Sequence, residues 1–218
     1  MDFQFITRVS PMFMKAAWLT VSLAFWGLIL SLIIGFFCAL VRFWRWPVVA
    51  RLAGIYIELA RNTPLMIQLF FLYYGLPRVG LLLEGRTCAI VGLAFLGGGY
   101  MAEAFRGGFS AISRSQIEAG LSIGLRRFQL LRYVIFPQAV AVALPAITAT
   151  AIFLIKETSV FSIVALPDLM YVAKDLLKEG HNNESNLLLV LSYLLIILPV
   201  SLFFGRLEKR VRFAGFGD

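Results

Sequence analysis

The chain has 218 residues, a length typical of one domain, so we expect a single domain over residues 1–218. Hydrophobic residues make up 60% of the chain and charged residues 15%, against roughly 45–50% and about 25% in soluble domains. The excess lies in long uncharged runs. This excludes a soluble globular protein and predicts an all-α, multi-pass membrane protein.

Three other classes are excluded on similar grounds. The net charge of +8 does not indicate a nucleic-acid partner, because the arginines cluster in loops between apolar runs, where membrane topology requires them. Cys38, Cys88 and the single histidine, His181, have no spacing typical of a metal site or a disulfide framework. No G-x-x-x-x-G-K-[ST] loop is present. We therefore expect no metal, no cofactor and no enzymatic activity, with any ATP hydrolysis in a partner.

The first predicted span lies between Lys15 and Arg42, which enclose 26 uncharged residues. At 1.5 Å per residue this run reaches about 39 Å, enough to cross a hydrocarbon core of about 30 Å. It is too long for the apolar region of a signal peptide, which has about 7–15 residues. Pro47 breaks the chain before a second predicted span, which begins near Tyr56 and ends near Pro77.

Two pairs of opposite charges stand three residues apart near the ends of predicted helices: Glu58 with Arg61, and Glu103 with Arg106. Side chains at i and i+3 are neighbours on a helix. Each pair is therefore expected to form a structural ion pair near the cytoplasmic boundary.

The third predicted span, residues 87–102, contains three consecutive glycines at 97–99. Each weakens a helix by about 1 kcal/mol relative to alanine, so a compensating interaction is expected. Small residues in membrane helices usually allow close helix packing. A substrate path lined by the backbone is the alternative.

A polar, arginine-rich stretch, residues 114–137, separates two apolar intervals. We expect one amphipathic helix over residues 115–128, with Ser115 as its N-cap and Glu118 completing a capping box. Its apolar face at the helical period comprises Ile117, Leu121, Gly124, Leu125 and Phe128. Ala119, Gly120 and Gly124 are small, so a partner can approach closely. A helix lying on the membrane surface is the alternative.

This stretch resembles the cytoplasmic coupling motif of the permease subunits of ABC importers, E-A-A-x-x-x-G, then nine residues, then I-x-L-P. The chain has Glu118-Ala119-Gly120, Gly124 and, nine residues on, Val134-Ile135-Phe136-Pro137. It departs from the motif at Gly120, Val134 and Phe136, each time keeping size class or polarity. The resemblance implies contact with an ATPase subunit through the following residues: Ser115, Glu118, Ala119, Gly120, Gly124 and Leu125.

Other segments resemble the polar amino acid branch of that family, and the resemblance extends over about residues 20–212. Residues 56–64 are similar to Y-x-E-x-x-R-G-T-P, residues 100–108 to A-Y-x-A-E-x-x-R-G, and residues 156–160 to K-D-T-S-L. The resemblance implies a second permease subunit, identical or homologous, together with cytoplasmic ATPases, an external solute-binding protein and an amino acid substrate. It also implies a location in the bacterial inner membrane.

The fourth predicted span has 23 uncharged residues between Arg132 and Lys156. The apolar ten that follow, residues 158–167, are too short to cross the bilayer and are expected to be re-entrant or interfacial. Charges at membrane depth are unfavourable by about 2.5–3.5 kcal/mol each, so a binding role is expected there. Glu157 is predicted to bind the ammonium group of a zwitterionic amino acid. The carboxylate of that amino acid is predicted to bind three neighbours: Lys156, Thr158 and Ser159. Mutual neutralisation, or exposure at the outer surface, is the alternative.

Residues 168–184 predict an amphipathic outer helix and a loop, and residues 185–205 the fifth span. Residues 42–61, 106–132 and 206–212 carry 4, 5 and 4 basic residues, 13 in all, against six on the other side. This places the N-terminus outside and the C-terminus and coupling stretch inside.

The predicted function is the membrane-spanning permease of an ATP-driven amino acid importer that works by alternating access. A small channel or half of a secondary transporter would explain the buried charges but not the spacing over residues 118–137. A purely structural subunit, with Lys156 and Glu157 paired to each other, is the third possibility.

Overall fold

The computed structural model describes residues 3–178 and 182–216, which form nine α-helices and no β-strand. The all-α prediction is therefore confirmed. Four helical segments in this part of the chain are long and apolar enough to cross a membrane: Gln4–Phe43, Gly85–Ser110, Arg127–Val164 and Asn183–Val211. The count of five spans and the orientation of the termini stay predictions. His181 lies outside the described residues.

Helix α1 (Phe3–Phe43) contains the first predicted span but begins well before Lys15. It ends in a tight turn in which the Trp46 amide donates to the Val41 carbonyl (3.3 Å) and the Arg45 amide to the Arg42 carbonyl (3.2 Å). This is the Schellman pattern, and Arg45, with φ 53°, occupies the left-handed position that glycine usually takes. Helix α2 (Pro47–Asn62) then starts with a proline in its first turn, where no amide hydrogen is needed.

The second predicted span is broken rather than continuous. Helix α3 (Leu65–Phe70) starts after Pro64, whose extended backbone (ψ 140°) ends α2, and it continues through a π-helical turn, Phe71–Gly75, and a 3-10 turn, Leu76–Val79. The Gln68 side-chain nitrogen donates to the Thr63 hydroxyl (2.8 Å) and carbonyl (3.1 Å). Gln68 therefore holds the break together.

Helix α4 (Gly85–Ser110) is the centre of the fold and packs against α1 and α2. The Ser31 hydroxyl of α1 donates to the Leu93 carbonyl (3.3 Å), and the Tyr56 hydroxyl of α2 donates to the Phe95 carbonyl (2.8 Å). A side chain on Gly97 would collide with Ser31 and Leu154, and one on Gly99 with Ala60 and Arg61. The glycines thus serve close helix packing, the first of the two expected roles.

Three helices form the next unit: α5 (Arg114–Ser122), α6 (Arg127–Leu130) and α7 (Phe136–Glu157). Helix α6 runs into α7 through a π-helical turn, Leu131–Ile135. That wider turn lies next to Pro137, which cannot donate an amide hydrogen bond. Pro145 lies within α7 without ending it, and the chain leaves Glu157 in a 3-10 turn, Thr158–Val164.

Helix α8 (Leu169–Lys178) and helix α9 (Asn182–Phe216) complete the described chain. The buried face of α8 packs on the N-terminal part of α1, and together they form a second apolar cluster, consisting of Phe5, Val9, Phe13, Ala16, Leu169, Val172, Ala173 and Leu176. Helix α8 confirms the amphipathic helix that the sequence predicts after residue 168, while its outer location stays a prediction.

Candidate functional site

The coupling stretch begins with a different cap from the one predicted. Helix α5 starts at Arg114, and the Ser113 hydroxyl accepts the Gln116 amide (3.3 Å). Ser115 lies inside the first turn and contacts the Ser113 hydroxyl (3.0 Å). The expected capping box of Ser115 and Glu118 is therefore wrong. The N-cap accepts from the residue three positions on, and helix α5 begins one residue before the predicted cap.

The predicted single helix over residues 115–128 is also wrong. Helix α5 ends at Ser122, and Gly124 adopts a left-handed φ of 85°. The Leu125 amide donates to the Gly120 carbonyl (3.1 Å) and the Gly124 amide to the Leu121 carbonyl (3.0 Å). A glycine in this position is a common helix C-cap. Gly124 therefore reverses the chain between α5 and α6 instead of lying on an apolar helix face.

Gly120 is small for an intramolecular reason. It is buried, and a β-carbon placed on it would lie 2.5 Å from the Leu130 side chain of α6. Leu130 is itself fully buried. The glycine therefore allows α6 to pack on α5, whereas the sequence pattern predicts that the small residues admit a partner. Ala119 and Glu118 remain exposed, and Leu125 is half-buried.

The coupling stretch leaves an apolar surface uncovered. The side chain of Ile123 is 78% exposed and that of Phe128 72%, and Leu121 is also exposed. A hydrogen bond from the Gln116 side-chain nitrogen (Nε2) to the Gln138 side-chain oxygen (3.1 Å) links the stretch to α7. We call Leu121, Ile123 and Phe128 the α5–α6 apolar surface. Its exposure suits it to contact another protein.

Glu103 binds two arginines, one on its own helix and one on α1. Its carboxylate accepts from Arg106 Nε (2.7 Å) within α4 and from Arg42 Nη1 (2.9 Å) at the end of α1. The i,i+3 contact matches the predicted geometry, and Arg42 is a partner that sequence reasoning missed. No local pattern could have found it, because 61 positions separate the two residues.

The expected Glu58–Arg61 ion pair is not formed in the described chain. Glu58 accepts a hydrogen bond from the Asn62 side chain (3.1 Å), and the Arg61 guanidinium stands over the Tyr100 ring, 5.4 Å from its centroid. A cation over an aromatic face is a favourable contact. Arg61 therefore links α2 to α4 instead of pairing along its own helix.

The four residues predicted to bind substrate occupy the end of α7 and the following turn. Lys156 is exposed and Glu157 half-buried, and they form no ion pair with each other. Thr158 is fully buried, and its hydroxyl donates to the Ile155 carbonyl (2.7 Å) and lies 3.5 Å from the Tyr193 hydroxyl. Ser159 is half-buried. The side chains of Lys156, Glu157 and Ser159 are thus at least partly exposed, whereas the buried Thr158 hydroxyl faces α9.

A buried carboxylate that sequence reasoning missed lies just beyond this turn. Asp168 is fully buried and caps α8, with Oδ1 accepting the Tyr171 amide (2.9 Å) and Oδ2 without a partner in the described chain. Burial raises the pKa of Asp168 to about 6, although the cap hydrogen bonds and Lys174 lower it. The folded chain therefore favours the protonated form of Asp168. The stability that protonation contributes is fully present below the ordinary aspartate pKa of 3.8 and is lost as the pH rises through about 6.

Residues 31–213 match the protein family described as "Binding-protein-dependent transport system inner membrane component". The probable amino-acid ABC transporter permease protein PatM of Vibrio harveyi is 39% identical over 176 residues, 79% of either chain. The glutamine transport system permease protein GlnP of Escherichia coli (strain K12) is 30% identical over 214 residues, 97% of this chain and 98% of the relative. Both alignments cover well over two thirds of this chain.

Two solved structures have the same arrangement of helices. A crystal structure of an amino acid ABC transporter with histidines superposes with a TM-score of 0.86 at 29% identity, covering 96% of this chain and 99% of the other. The inward-facing MetNI methionine ABC transporter superposes with a TM-score of 0.81 at 20% identity, covering 97% and 99%. The latter likeness concerns the fold alone.

Proposed function

The chain belongs to the family of binding-protein-dependent transport system inner membrane components, and from this premise we propose that it carries a polar amino acid. It is a multi-pass inner-membrane permease subunit of an ABC importer, and it is not an enzyme, since ATP hydrolysis in this family occurs in a separate ATPase subunit. The family works with ATPase subunits and a binding protein. Two relatives whose names include a substrate are named for glutamine, and this supports an amino acid as the substrate.

The observation that carries the coupling role is the α5–α6 apolar surface. Leu121, Ile123 and Phe128 are exposed on a segment that one side-chain hydrogen bond links to α7. Exposed apolar side chains on a rigid, amphipathic segment are suited to fill a groove in another protein. We assign that groove to the ATPase subunit. Movement of the ATPases would then reach α7 through the Gln116–Gln138 contact and the packing of Leu130.

The transport path is proposed to form between two permease subunits. The cavity at the middle of the described spans, about 310 Å³, lies between α1, α4, α7 and α9 and has Thr20 as its polar lining residue. A zwitterion in such surroundings would lose its hydration without gaining partners. A path for an amino acid therefore requires polar groups, which we place at the interface with a second subunit, identical or homologous.

The proposed substrate groups lie at the broken end of α7. Glu157 offers an anion for the substrate ammonium, while Lys156 and Ser159 offer donors for its carboxylate. A helix that ends at membrane depth beside charged groups is typical of transporter binding sites. Thr158, with its hydroxyl bonded to the main chain, contributes by holding this turn against α9.

The coupling role is tested by charged substitutions on the α5–α6 apolar surface. We expect Phe128→Asp to release the co-expressed ATPase on purification and to abolish uptake, because it places a charge in an apolar contact. The matched control is Leu82→Asp, which changes an apolar side chain that is 83% exposed in the loop before α4, far along the chain from α5. It should retain the ATPase. Normal ATPase retention by Phe128→Asp would remove the proposed docking surface.

The amino acid substrate is tested by transport itself. The permease, its ATPase and its binding protein are reconstituted in liposomes, and uptake is measured for a panel of labelled amino acids, sugars and peptides. We expect ATP-dependent uptake of a polar amino acid and none of sugars or peptides. ATP-dependent uptake of another solute class alone would reject the amino acid assignment while leaving the permease role intact.

A further inference from the structure

Two adjoining cavities lie where α1 and α4 end on the side of α5. They have volumes of about 420 Å³ and about 260 Å³ and share Phe43, Arg45, Phe109 and Ser110. The larger also reaches Arg114, and the smaller reaches Arg42 and Arg106. We call the combined space the arginine cleft. Its larger part falls within the roughly 300–1,000 Å³ usual for small-ligand sites.

The arginine cleft carries a large excess of positive charge. Four guanidinium groups meet one carboxylate, that of Glu103, which already binds both Arg42 (2.9 Å) and Arg106 (2.7 Å). Arg45 and Arg114 form no salt bridge in the described part of the chain. The two unpaired guanidinium groups are therefore available to an anion from outside the chain.

Arg45 stands where the backbone favours another residue. Its φ of 53° is left-handed, at the Schellman position that usually holds glycine. A residue with a β-carbon is disfavoured there. Arg45 adds a cation that lines both cavities of the cleft, at the C-terminal end of α1, where the helix dipole also favours a positive charge.

The floor of the cleft is aromatic. The rings of Phe43 and Phe109 stack with centroids 5.1 Å apart, and Trp44 packs edge-on against Phe43 (5.4 Å). Trp46, on the same turn, is exposed. Tryptophans and arginines together are typical of the level at which membrane helices reach the lipid headgroups. The ligand should therefore carry an anion next to apolar groups.

We propose that the arginine cleft binds the phosphate of an anionic phospholipid, with its glycerol and first acyl carbons against the aromatic floor. The inference rests on the proposed function only in placing this end of the spans at the cytoplasmic leaflet. Basic pockets between spans on that side suit acidic headgroups. An acidic segment of the ATPase is less suited, because carboxylates alone would leave the aromatic floor without an apolar partner. Arg114 and Ile117 of α5 also line the cleft, so the test includes release of the ATPase.

The test uses the permease purified with its ATPase in detergent and mixed with phosphatidylglycerol or phosphatidylcholine of identical acyl chains. Native mass spectrometry counts the bound lipid. We expect preferential retention of phosphatidylglycerol, and a loss of about fivefold in its binding for each of Arg45→Gly and Arg114→Gln. Because glycine suits the turn better than arginine, a loss in Arg45→Gly cannot come from a misfolded turn. Arg51→Gln, which changes an exposed arginine on α2 outside the cleft, is the matched control and should bind lipid as the wild type does.

Four results would overturn the proposal. They are equal binding of the two lipids, an equal loss in the Arg51→Gln control, displacement of phosphatidylglycerol by millimolar inorganic phosphate, and release of the ATPase by the cleft variants with lipid binding unchanged. The third would assign the cleft to a free anion and the fourth to a protein contact. Lipid retention requires no transport, so a complex that binds phosphatidylglycerol but imports no amino acid would reject the proposed function and leave this inference standing.

Discussion

The packing of Gly120 on Leu130 gives a sharp test of how the coupling stretch is built. In Gly120→Ala, the new methyl group would lie 2.5 Å from the Leu130 side chain, whereas ordinary van der Waals contact begins at about 3.4 Å. Leu130 is fully buried, so it cannot swing into solvent. Relieving the overlap requires a movement of about 1 Å in a packed region, and overpacking of this kind typically destabilises by about 1–3 kcal/mol.

The assay is a double-mutant cycle on the thermal stability of the purified permease–ATPase complex. Leu130→Ala alone leaves a cavity and is expected to destabilise by about 2–5 kcal/mol. In the double variant, the methyl group at position 120 enters the space that leucine vacated. The combined loss should therefore be smaller than the sum of the two single losses by at least about 1 kcal/mol.

Gly107→Ala is the matched control, because Gly107 also lies in a helix, α4, and no atom beyond the adjoining residues and backbone of its own helix lies within 4 Å of the point that a β-carbon would occupy. It should be neutral or stabilising by up to about 1 kcal/mol, since alanine favours helix. A neutral Gly120→Ala would refute the packing argument. A destabilising Gly120→Ala that Leu130→Ala fails to rescue would instead assign the glycine to contact with a partner, as the sequence pattern predicts.

Three further outcomes are expected. Glu103→Gln should lower the thermal stability of the complex, because Arg42 and Arg106 lose their shared carboxylate. The reciprocal exchange of Glu103 and Arg106 should fail to restore that stability, because an arginine at position 103 would face Arg42. Recovery in the exchange variant would mean that Arg42 is not a true partner. Protection of α8 against trypsin should decrease as the pH rises from about 4 through about 6. Asp168→Asn keeps the cap acceptor and should flatten that pH dependence. An unchanged pH profile in the variant would show that the Asp168 carboxyl is not the group responsible. Glu157→Gln and Lys156→Met should preserve assembly and basal ATPase activity but sharply reduce amino acid uptake, and normal uptake in both would reject the proposed substrate site.

The sequence predicted those features that depend on neighbours along the chain. Uncharged runs predicted the four long apolar helices, because transfer into lipid depends mainly on composition over about 20 residues. The proline at position 47 marked a true break, and the spacing from Glu118 to Pro137 pointed to the correct family. The sequence also singled out Gly124. Periodicity alone cannot tell whether such a glycine lies on a helix face or, as here, adopts a left-handed conformation that separates α5 from α6.

The tertiary structure decided what lies across from each residue. Glu103 meets Arg42 over 61 positions, Arg61 turns to the ring of Tyr100, and the Thr158 hydroxyl lies 3.5 Å from that of Tyr193 in α9. Gly120 packs against Leu130. One continuous helix through Gly124 would not bring these two residues together. These contacts depend on how helices pack and where the chain reverses, and a periodic pattern describes only one helix at a time. The sequence by itself therefore determined the membrane class and the family, while the pairing of its charged and small residues came only with the packing of α1, α4, α5 and α7.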